Sequence, residues 1–514
     1  MEILNDKALV FDTPGAEQLL TAIGNSKRLS DGRIAVKWDI PEVQALHDFG
    51  IRAPSPIERK YTWTGKFKPY DHQKSTASFL TKHKRAFCFN EMGTGKTASA
   101  IWAADYLMNE GFISRVLVVC PVSIMDSAWR SDLFSFAIHR AADVAYGPRA
   151  RREAVINGPA EIVVTNYDGV RGHVDLYKKG GFDLIIVDEA THYKNAQTQR
   201  WKSLAKLVDE DTWLWMMTGT PAAQSPVDAH GLARFINPEA VPRSMVRWRD
   251  VVMIKTGQFT YEPRPGYQEI VHQALQPAIR FTKDECLDLP GIVYTKRKVE
   301  LTAQQKKYYN DVRRVARTEA AGETVTAVNA AVKMSKLLQI SAGAVYSDDG
   351  ETVEFDVSNR YNALREVLDE AAHKVLIFVP FRHTIEMLRE RLVKDGFTTE
   401  VISGDVSAGN RTDIFKQFQE TKNPRVLVIQ PQAAAHGVTL TAADTVVWWA
   451  PVPSLETYAQ ANARVDRAGQ KNKCTVVQLT GSPAEARMYA MLDKRIKNHD
   501  ALISLYGDVL DIKA

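Results

Sequence analysis

The segment that most constrains the fold is residues 90–97, NEMGTGKT. A short apolar run, residues 86–89, precedes it, and residues 98–108, which have high helix propensity, follow it. A glycine-rich turn between a strand and a helix is the setting of a phosphate-binding loop, because glycines let backbone amides approach a phosphate without an intervening β-carbon. Gly93 and Gly95 provide that access. The pattern predicts an α/β domain with a nucleotide site at the end of a strand.

Other residues of this loop are candidate ligands of ATP. We expect the Lys96 ammonium to bind the β- and γ-phosphates and the Thr97 hydroxyl to bind Mg²⁺. The backbone amides of Met92 and Thr94, with the positive end of the following helix, complete the expected site. The general pattern has a glycine where this chain has Asn90. Taken by itself, the loop is therefore also consistent with a turn that binds no ligand.

Two acids end a second apolar run, residues 184–189, LIIVDE. In a parallel α/β sheet the carboxyl ends of the strands face the ligand crevice. We expect Asp188 to hold Mg²⁺, directly or through water, and Glu189 to orient and deprotonate the attacking water. A polar turn would also place two acids at a strand end, but the phosphate-loop pattern upstream favours a catalytic pair.

Two arginines near the C-terminus are candidates for a third element of the site. Residues 460–470 read QANARVDRAGQ, which places Arg464 and Arg467 three residues apart, on one face of a predicted helix. A surface salt-bridge pair is the ordinary explanation of that spacing. In an ATPase with two lobes, however, arginines from the second lobe can reach the γ-phosphate and accelerate turnover by about 10³ to 10⁵. We predict both arginines to be catalytic, with Gln460 and Gly437 also at the nucleotide.

Two stretches of the chain alternate short β-branched runs with helix-like segments, the pattern of a parallel sheet covered by helices. The runs are residues 86–89, 116–120, 162–164, 184–187 and 213–217, then 375–379, 400–402, 426–429, 445–449 and 475–479. The predicted fold class is α/β, with two doubly wound parallel-sheet lobes. We divide the chain into an N-terminal accessory segment, a first lobe, a helical connector and a second lobe: residues 1–66, 67–297, 298–345 and 346–514.

Composition sets limits but does not identify a partner. The chain has 514 residues, and 66 basic against 61 acidic residues give a net charge of +5. That excess permits nucleic-acid binding without arguing for it. The apolar runs are strand-sized and the first residues lack the pattern of a secretion signal, so we expect no membrane span and a cytoplasmic protein. The four cysteines lie far apart in sequence, which is typical of free thiols in a reducing compartment.

Further segments complete a set that resembles the superfamily-two helicases, and among them the Swi/Snf-like DNA translocases. The resemblance covers about residues 66–493, and the region between the lobes is short, as in a minimal bacterial or phage-type member. An Asp-Leu-Pro exit from the first lobe distinguishes this branch from DEAD and DEAH RNA helicases. The matching segments are residues 69–73, 91–97, 118–121 with Trp129, 165–168, 188–195, 218–221, 288–290, 300–309, 403–405, 436–444 and 460–470.

The resemblance implies two RecA-like lobes, ATP and Mg²⁺ as cofactors, and double-stranded DNA bound through its backbone without sequence preference. It assigns adenine recognition to Gln73, and it assigns coupling of the ATP state to DNA grip to Thr218, Gly219 and Thr220. Hydroxyls and amides at strand ends are suited to phosphate contact. The predicted DNA-facing residues are Pro121, Ser123, Thr165, Asn166, Tyr167, Ser403, Gly404 and Thr441.

The sequence is consistent with more than one interpretation at several positions. Thr191 stands where many members of the family carry His, and residues 433–436 read AAAH where the family prefers glycines. A strand-separating DNA or RNA helicase is one alternative, and a nucleotide-dependent DNA clamp without catalysis is another. Tyr167 and Trp129 could stack on bases or pack inside the protein. The N-terminal segment could dock a protein partner or brace the first lobe, and we expect a monomer.

Overall fold

The computed structural model describes residues 1–12, 16–65, 67–219, 221, 225–257, 261–286, 291–322, 327–346, 352–433, 438–467 and 469–493. The chain divides into two compact units, Met1–Cys286 and Leu287–Ala514. Two predicted site residues, Thr220 and Gly437, and the predicted exit at residues 288–290 lie outside the described residues.

The N-terminal residues form a small antiparallel sheet with its own core. Its strands lie in the order β1-β2-β4-β3, and Leu9, Val36 and Trp38 are buried beneath it. The strands are β1 Glu2–Leu4, β2 Ala8–Phe11, β3 Ser26–Arg28 and β4 Ile34–Lys37. The helices are Glu17–Ala22, Ile40–Asp48 and Ile57–Lys60.

This segment is attached to the main body of the first unit by buried contacts. Ile57 belongs to the core of the large sheet, and the Tyr61 hydroxyl donates to Oδ2 of the buried Asp105 at 2.6 Å. The Trp102 indole, in the same core, donates to the Thr64 carbonyl at 2.8 Å. These contacts support bracing of the first lobe, which is one of the two roles considered for residues 1–66.

The centre of the first unit is a seven-stranded parallel sheet in the order β13-β5-β10-β9-β6-β8-β7. Every residue of its central strand Leu184–Asp188 is buried, as expected where helices cover both faces of a sheet. A hairpin of β11 and β12 lies between β10 and β13 along the chain. The strands are β5 Arg85–Cys88, β6 Val116–Cys120, β7 Ala142–Val144, β8 Ile162–Asn166, β9 Leu184–Asp188, β10 Trp213–Met217, β11 Met253–Lys255, β12 Tyr261–Pro263 and β13 Ala278–Ile279.

The helices of the first unit connect these strands. The α-helices are Asp71–Lys82, Lys96–Asn109, Val122–Ile124, Ser131–Phe136, Arg149–Ile156, Tyr167–Gly172, Val174–Lys179, Gln199–Ala205, Ala229–Ile236, Met245–Val252, Tyr267–Ala274 and Lys283–Cys286. Met125–Arg130 is a π-helix, and Ala190–Tyr193, Pro226–Asp228 and Pro238–Ala240 are 3₁₀ turns.

The second unit contains a six-stranded parallel sheet in the order β14-β21-β20-β17-β19-β18. Its strands, with the two of a separate hairpin (β15 and β16), are β14 Ile292–Lys298, β15 Ala344–Tyr346, β16 Thr352–Glu354, β17 Lys374–Phe378, β18 Thr399–Ile402, β19 Val426–Ile429, β20 Ala443–Trp448 and β21 Cys474–Thr480. Its helices are Ala303–Gly322, Ala327–Ala342, Ser358–Glu370, Arg382–Lys394, Ala408–Glu420 and Leu455–Asn462, with a 3₁₀ turn at Pro431–Ala433. Residues 483–493 are also helical. The prediction of two parallel-sheet α/β lobes is confirmed.

The division between the units differs from the predicted one. The predicted first lobe extends to residue 297, whereas β14 pairs along its whole length with β21 of the second sheet. The two helices of the predicted connector, Ala303–Gly322 and Ala327–Ala342, also belong to the second unit. The division therefore falls before β14, between Cys286 and Leu287.

Two predictions from composition can be compared with the described part of the chain. None of its helices is both long enough and apolar enough to cross a membrane. Its four cysteines are free thiols; Cys88, Cys120 and Cys474 are buried, and Cys286 is half-buried.

Candidate nucleotide site

The loop of residues 90–97 connects β5 to the helix Lys96–Asn109, as predicted. Gly93 has φ +89° and Gly95 has φ +84°, a region that residues with a side chain rarely adopt. A β-carbon on Gly95 would also lie 2.1 Å from Nε2 of Gln73. The backbone geometry therefore favours glycine at position 95, and a side chain there would also displace Gln73.

Lys96 lies at the start of the helix and folds over the loop. Its Nζ donates to the carbonyl oxygens of Asn90 at 2.8 Å and Glu91 at 3.2 Å. The Thr94 hydroxyl also donates to the Glu91 carbonyl, at 2.8 Å. Met92 and Thr97 are half-buried. The ammonium is thus held at the loop, where the phosphate-loop prediction requires a positive charge.

Gln73 lies against this loop. Its Oε1 accepts from the backbone N–H of Tyr70 at 3.0 Å, and its Nε2 donates to the Thr94 carbonyl at 3.1 Å. The neighbouring His72 bonds the same carbonyl through Nε2 at 2.8 Å, and burial lowers the pKa of its ring. Because a carbonyl can only accept, His72 Nε2 carries the proton. Gln73 therefore positions the phosphate loop, and its predicted contact with adenine stays a prediction.

The contacts of Asn90 explain why this chain has asparagine where the general loop pattern has glycine. Its side chain is fully buried, and Nδ2 donates to the Thr76 hydroxyl at 2.7 Å. Its Oδ1 accepts from the backbone N–H of Phe281 at 3.0 Å. The asparagine thus ties the loop to the helix Asp71–Lys82 and to the chain that follows β13, contacts that a glycine could not make.

The strand ends bring the predicted elements to one edge of the sheet. Met217 pairs with both Cys88 and Asp188, so the phosphate loop and the two acids follow aligned strands. Cys120 pairs with Asn166 on the next two strands. Residues that follow these positions, including Pro121, Tyr167, Glu189 and Thr218, therefore begin at the same carboxyl edge.

Asp188 is buried and hydrogen-bonded in this edge. Its Oδ2 accepts from the indole Nε1 of Trp129 at 2.9 Å, and its Oδ1 accepts from the backbone N–H of Glu189 at 3.0 Å. Burial raises the pKa of the Asp188 carboxyl, while the nearby Lys96 ammonium and these two N–H groups act in the opposite direction. The structure therefore brings Lys96 and Asp188 together.

Glu189 has an unusual backbone. Its φ of +50° and ψ of +55° lie in the left-handed region, which is strained for a residue with a side chain and recurs at functional sites. The Tyr167 hydroxyl donates to the Asp188 carbonyl at 2.6 Å and helps to hold this turn. Glu189 itself is half-buried, a position compatible with the predicted contact to water.

The two aromatic residues considered for base stacking are packed inside the protein. Trp129 is fully buried and Tyr167 is 5% exposed, and both bond the segment at Asp188. Trp129 lies in the π-helix Met125–Arg130, a rare element found often at functional sites. No local sequence pattern indicates the contact between Trp129 and Asp188, because 59 positions separate the two residues.

The predicted DNA-facing residues of β8 are also engaged internally. Thr165 is fully buried and Asn166 is 8% exposed. Arg152 donates to the Thr165 hydroxyl at 3.1 Å, to Asn166 Oδ1 at 3.2 Å and to the Tyr177 hydroxyl at 3.1 Å. Arg152 ends a basic stretch of the sequence, residues 149–152 (RARR), a composition typical of an exposed face, yet its side chain is buried. DNA contact by Thr165, Asn166 and Tyr167 stays a prediction.

The other two DNA-facing candidates of the first unit lie after β6. Pro121 is buried, and its contact with DNA stays a prediction. The side chain of Ser123 lies outside what the structure describes.

The predicted coupling segment lies beside the phosphate loop. Thr218 is buried, and its backbone N–H donates to the Cys88 carbonyl at 3.0 Å. A β-carbon on Gly219 would lie 3.6 Å from the backbone nitrogen of Met92. These two segments therefore contact each other within the first unit.

In the second unit, the prediction that both arginines lie on a helix is wrong. The helix ends at Asn462, and the Arg464 carbonyl accepts from the backbone N–H of Leu440 at 2.9 Å, so the chain here bonds a neighbouring segment. Arg464 is 2% exposed and donates to the Val438 carbonyl at 3.3 Å. Arg467 is half-buried and donates to the Ala463 carbonyl at 3.0 Å.

The remaining predicted residues of the second unit follow its strands or helix. Gln460 is buried and donates to Glu456 at 3.3 Å. Ser403 follows β18 and is buried, whereas Gly404 is exposed and its N–H donates to Gln430 at 3.1 Å. The Thr441 hydroxyl is half-buried and accepts from Gln419 at 2.9 Å.

Two models of known protein families match this chain, and their matches include the residues of the nucleotide site. The SNF2-related domain matches residues 72–348, more than half of the chain, and the helicase conserved C-terminal domain matches residues 359–469. Both matches contain the elements described above. The phosphate loop and the acids lie in the first match, and the arginines lie in the second.

Individual relatives are distant but cover most of the chain. Protein p41 of Acyrthosiphon pisum secondary endosymbiont phage 1 is 26% identical and aligns with 78% of this chain and 88% of its own length. An uncharacterized ATP-dependent helicase of Mycoplasma genitalium is 25% identical over 76% of this chain and 37% of its own. The chromodomain-helicase-DNA-binding protein 1-like of Danio rerio is 25% identical over 80% of this chain and 41% of its own.

The chain thus spans most of the phage relative and less than half of the Mycoplasma and Danio rerio relatives. The phosphate loop and the acidic pair lie in the matched SNF2-related domain and the arginines lie in the matched helicase C-terminal domain, so the chain is an ATP hydrolase of the helicase type. This protein belongs to the SNF2-related family.

Proposed function

We propose that this protein is an ATP-dependent translocase on double-stranded DNA, which couples hydrolysis to movement along the duplex or to remodelling of proteins bound to it. The observation that carries the proposal is the strand edge shared by Lys96 and Asp188 with the segments that follow Cys120, Asn166 and Met217. The hydrolytic groups and the predicted DNA-facing and coupling segments begin on neighbouring strands. A movement at the ATP phosphates can therefore be transmitted directly to the segments that are predicted to bind DNA.

The groups of the first lobe suit hydrolysis of a triphosphate. Lys96 places a positive charge on the β- and γ-phosphates, and Glu189 orients the attacking water and accepts its proton. The Thr97 hydroxyl and the Asp188 carboxylate are oxygen donors, the ligand type that Mg²⁺ prefers. When bound there, Mg²⁺ would neutralise charge on the β- and γ-phosphates.

The second lobe would complete the site by supplying Arg464 and Arg467 to the γ-phosphate. Positive charge from another lobe makes hydrolysis conditional on closure, which converts the chemical cycle into alternating grip. The nucleotide should open and close the two lobes once per turnover.

DNA is proposed as the bound nucleic acid on the basis of the chemistry of the chain and the names of its relatives. The name of the Danio rerio relative includes DNA binding. The net charge of +5 is modest, so binding should depend on hydroxyls, amides and a few basic groups contacting phosphates, and it should weaken with salt. We further propose that the protein acts as a monomer in the cytoplasm, without sequence preference.

The test is phosphate release measured side by side with no nucleic acid, single-stranded DNA, duplex DNA, forked DNA and RNA. We expect duplex DNA to stimulate release most, without separation of a labelled fork. Preferred stimulation by RNA would replace the proposal with an RNA helicase, and fork unwinding would replace it with a strand-separating helicase. Binding of ATP without phosphate release under all of these conditions would replace the proposal with a nucleotide-dependent DNA clamp that has no catalytic activity.

A further inference from the structure

A segment that no nucleotide motif includes runs alongside the start of the phosphate loop. The backbone N–H of Phe89 donates to the Ile279 carbonyl at 2.8 Å, and that of Glu91 donates to the Phe281 carbonyl at 2.9 Å. The pairing of β13 with β5 thus continues beyond both strands as far as Glu91. This segment, residues 278–283, is the last part of the sheet before the chain enters the second unit at Leu287.

Arg280 lies at the centre of this segment, and its guanidinium is buried in the first lobe. The residue is 7% exposed. Nη1 donates to the Phe89 carbonyl at 3.0 Å and approaches the Gly219 carbonyl at 3.5 Å. One side chain therefore bonds both the strand that leads into the phosphate loop and the predicted coupling segment.

Glu91 holds the other side of the guanidinium. Its Oε1 accepts from Arg280 Nη2 at 3.3 Å, and its Oε2 accepts from the backbone N–H of Lys283 at 2.9 Å. Each carboxylate oxygen thus bonds residues 280–283, while the Glu91 carbonyl accepts from Lys96 at 3.2 Å. A short path of hydrogen bonds connects Arg280 to the lysine that we expect at the phosphates.

The charges explain why an anchored arginine belongs here. A triphosphate on the loop is strongly negative, and a mobile guanidinium nearby would compete with Lys96 for it. The planar guanidinium, fixed between a carboxylate and backbone carbonyls, instead serves as a rigid spacer. Lysine carries the same charge but presents a single ammonium and cannot satisfy these separated acceptors in one geometry.

We propose that Arg280 is a positioning residue for ATP: anchored by Glu91, it holds the phosphate loop and Gly219 in the relative placement that binds the triphosphate. Arg280 touches the loop and not the nucleotide, so its effect passes through Glu91 and the backbone. The inference rests on the nucleotide site of the proposed function, and it is independent of which nucleic acid is the track.

The test compares Arg280→Lys, Glu91→Gln and the double variant by equilibrium binding of a fluorescent ATP analogue and by steady-state phosphate release. The matched control is Arg115→Lys. Arg115 donates to the carbonyls of Gly180, Ile156 and Ala160 at the opposite edge of the same sheet, before β6 begins. It makes a similar set of backbone contacts away from the loop.

We expect each single variant to weaken binding of the analogue and to raise KM by about fivefold to tenfold, with a smaller change in kcat. Because Arg280→Lys and Glu91→Gln break the same contact, the double variant should bind the analogue about as weakly as either single variant. The effects of Arg280→Lys and Arg115→Lys on binding and on melting temperature should instead be additive. Arg115→Lys should lower the melting temperature and leave KM unchanged.

Two results would overturn the proposal: a KM and analogue affinity of Arg280→Lys equal to those of the parent, or multiplicative losses in the double variant with Glu91→Gln. If Arg280→Lys fails to fold, the half-exposed Glu91→Gln decides by the same binding measurement. Absence of duplex stimulation in the parent would refute the DNA part of the proposed function and leave this binding test intact.

Discussion

The indole Nε1 of Trp129 donates a 2.9 Å hydrogen bond to Oδ2 of Asp188. The tryptophan lies in a π-helix between two segments expected to face DNA, and the aspartate is the expected Mg²⁺ ligand. A residue of the predicted DNA-facing region thus orients a carboxylate of the ATP site. Partners of this kind, one shell out from a metal ligand, commonly control its affinity.

Trp129→Phe should therefore raise the magnesium concentration needed for half-maximal ATPase by about tenfold, because it removes the N–H donor to Asp188. The smaller phenyl ring also loses buried volume, a loss that the control variant shares. The measurement is phosphate release against magnesium at saturating ATP. Trp102→Phe is the control, since the Trp102 indole donates to the Thr64 carbonyl at 2.8 Å in the same core. Equal magnesium dependence in both variants would show that the bond to Asp188 has no such role.

Asp188→Asn should abolish ATPase and raise the thermal stability of the nucleotide-free protein near neutral pH. Burial raises the folded-state pKa of this carboxyl above its unfolded value of 3.8, so the folded state binds more protons between the two pKa values. Stability of the parent therefore falls as pH rises through that window and stays lower above it. The asparagine variant lacks this loss.

Melting temperatures measured from about pH 4 to pH 8 test the sign, because the advantage of Asp188→Asn should vanish toward the acid end. Asp175→Asn is the control with the opposite shift, since the ion pair with Arg149 lowers the pKa of the exposed Asp175. An advantage of Asp188→Asn that is constant across the range would contradict the prediction.

Glu189→Gln should lower kcat by about 10² to 10⁴, because the amide cannot accept the proton of the attacking water. Affinity for a fluorescent ATP analogue should stay within about threefold of the parent, since the residue acts on water and not on ATP binding. Glu210→Gln, an exposed change at the opposite edge of the sheet, should alter neither quantity. Equal phosphate release from Glu189→Gln and the parent would remove Glu189 from the mechanism.

Substitution of Arg464 and of Arg467 should have different effects on melting temperature and kcat. Arg464 is 2% exposed, so Arg464→Ala should lower the melting temperature of the second unit as well as kcat. Arg467 is half-buried and bonds its own turn, so Arg467→Ala should lower kcat by about 10³ with a small change in melting temperature. Unchanged kcat in Arg467→Ala, measured as phosphate release with duplex DNA, would exclude it from the γ-phosphate.

Tyr61→Phe should destabilise the first unit, because it removes a donor to the buried Asp105 carboxylate at 2.6 Å. A hydrogen bond to a charged group contributes about 1.5 to 3 kcal/mol, which should lower the melting temperature by several degrees. The control is Tyr146→Phe at an exposed tyrosine of the same unit. A melting temperature equal to that of the control would argue against bracing by the N-terminal segment.

Much of the fold was predictable because buried parallel strands are apolar along their whole length. The runs at residues 116–120 and 213–217 match β6 Val116–Cys120 and β10 Trp213–Met217 without error. β14 escaped prediction because it is an edge strand with mostly exposed, partly basic residues, IVYTKRK, and it lacks that apolar pattern. β13 has only two residues, too few for any periodicity.

The site was predictable where chemistry depends on residues close in sequence. The phosphate loop and the acidic pair are local patterns, whereas the contacts of Trp129 with Asp188 and of Arg280 with Glu91 join residues 59 and 189 positions apart. Arg152 illustrates the same limit: in sequence it belongs to a charged cluster, and only tertiary packing provides its buried acceptors.

Asn90 has a practical consequence for engineering. Substitutions toward a common sequence pattern often raise stability. Here the glycine of the general phosphate-loop pattern would remove the bonds to Thr76 and Phe281 and leave a void where a buried amide now fits. Substitution toward the general pattern should therefore fail at this position, and sequence searches that demand glycine there would overlook proteins built in the same way.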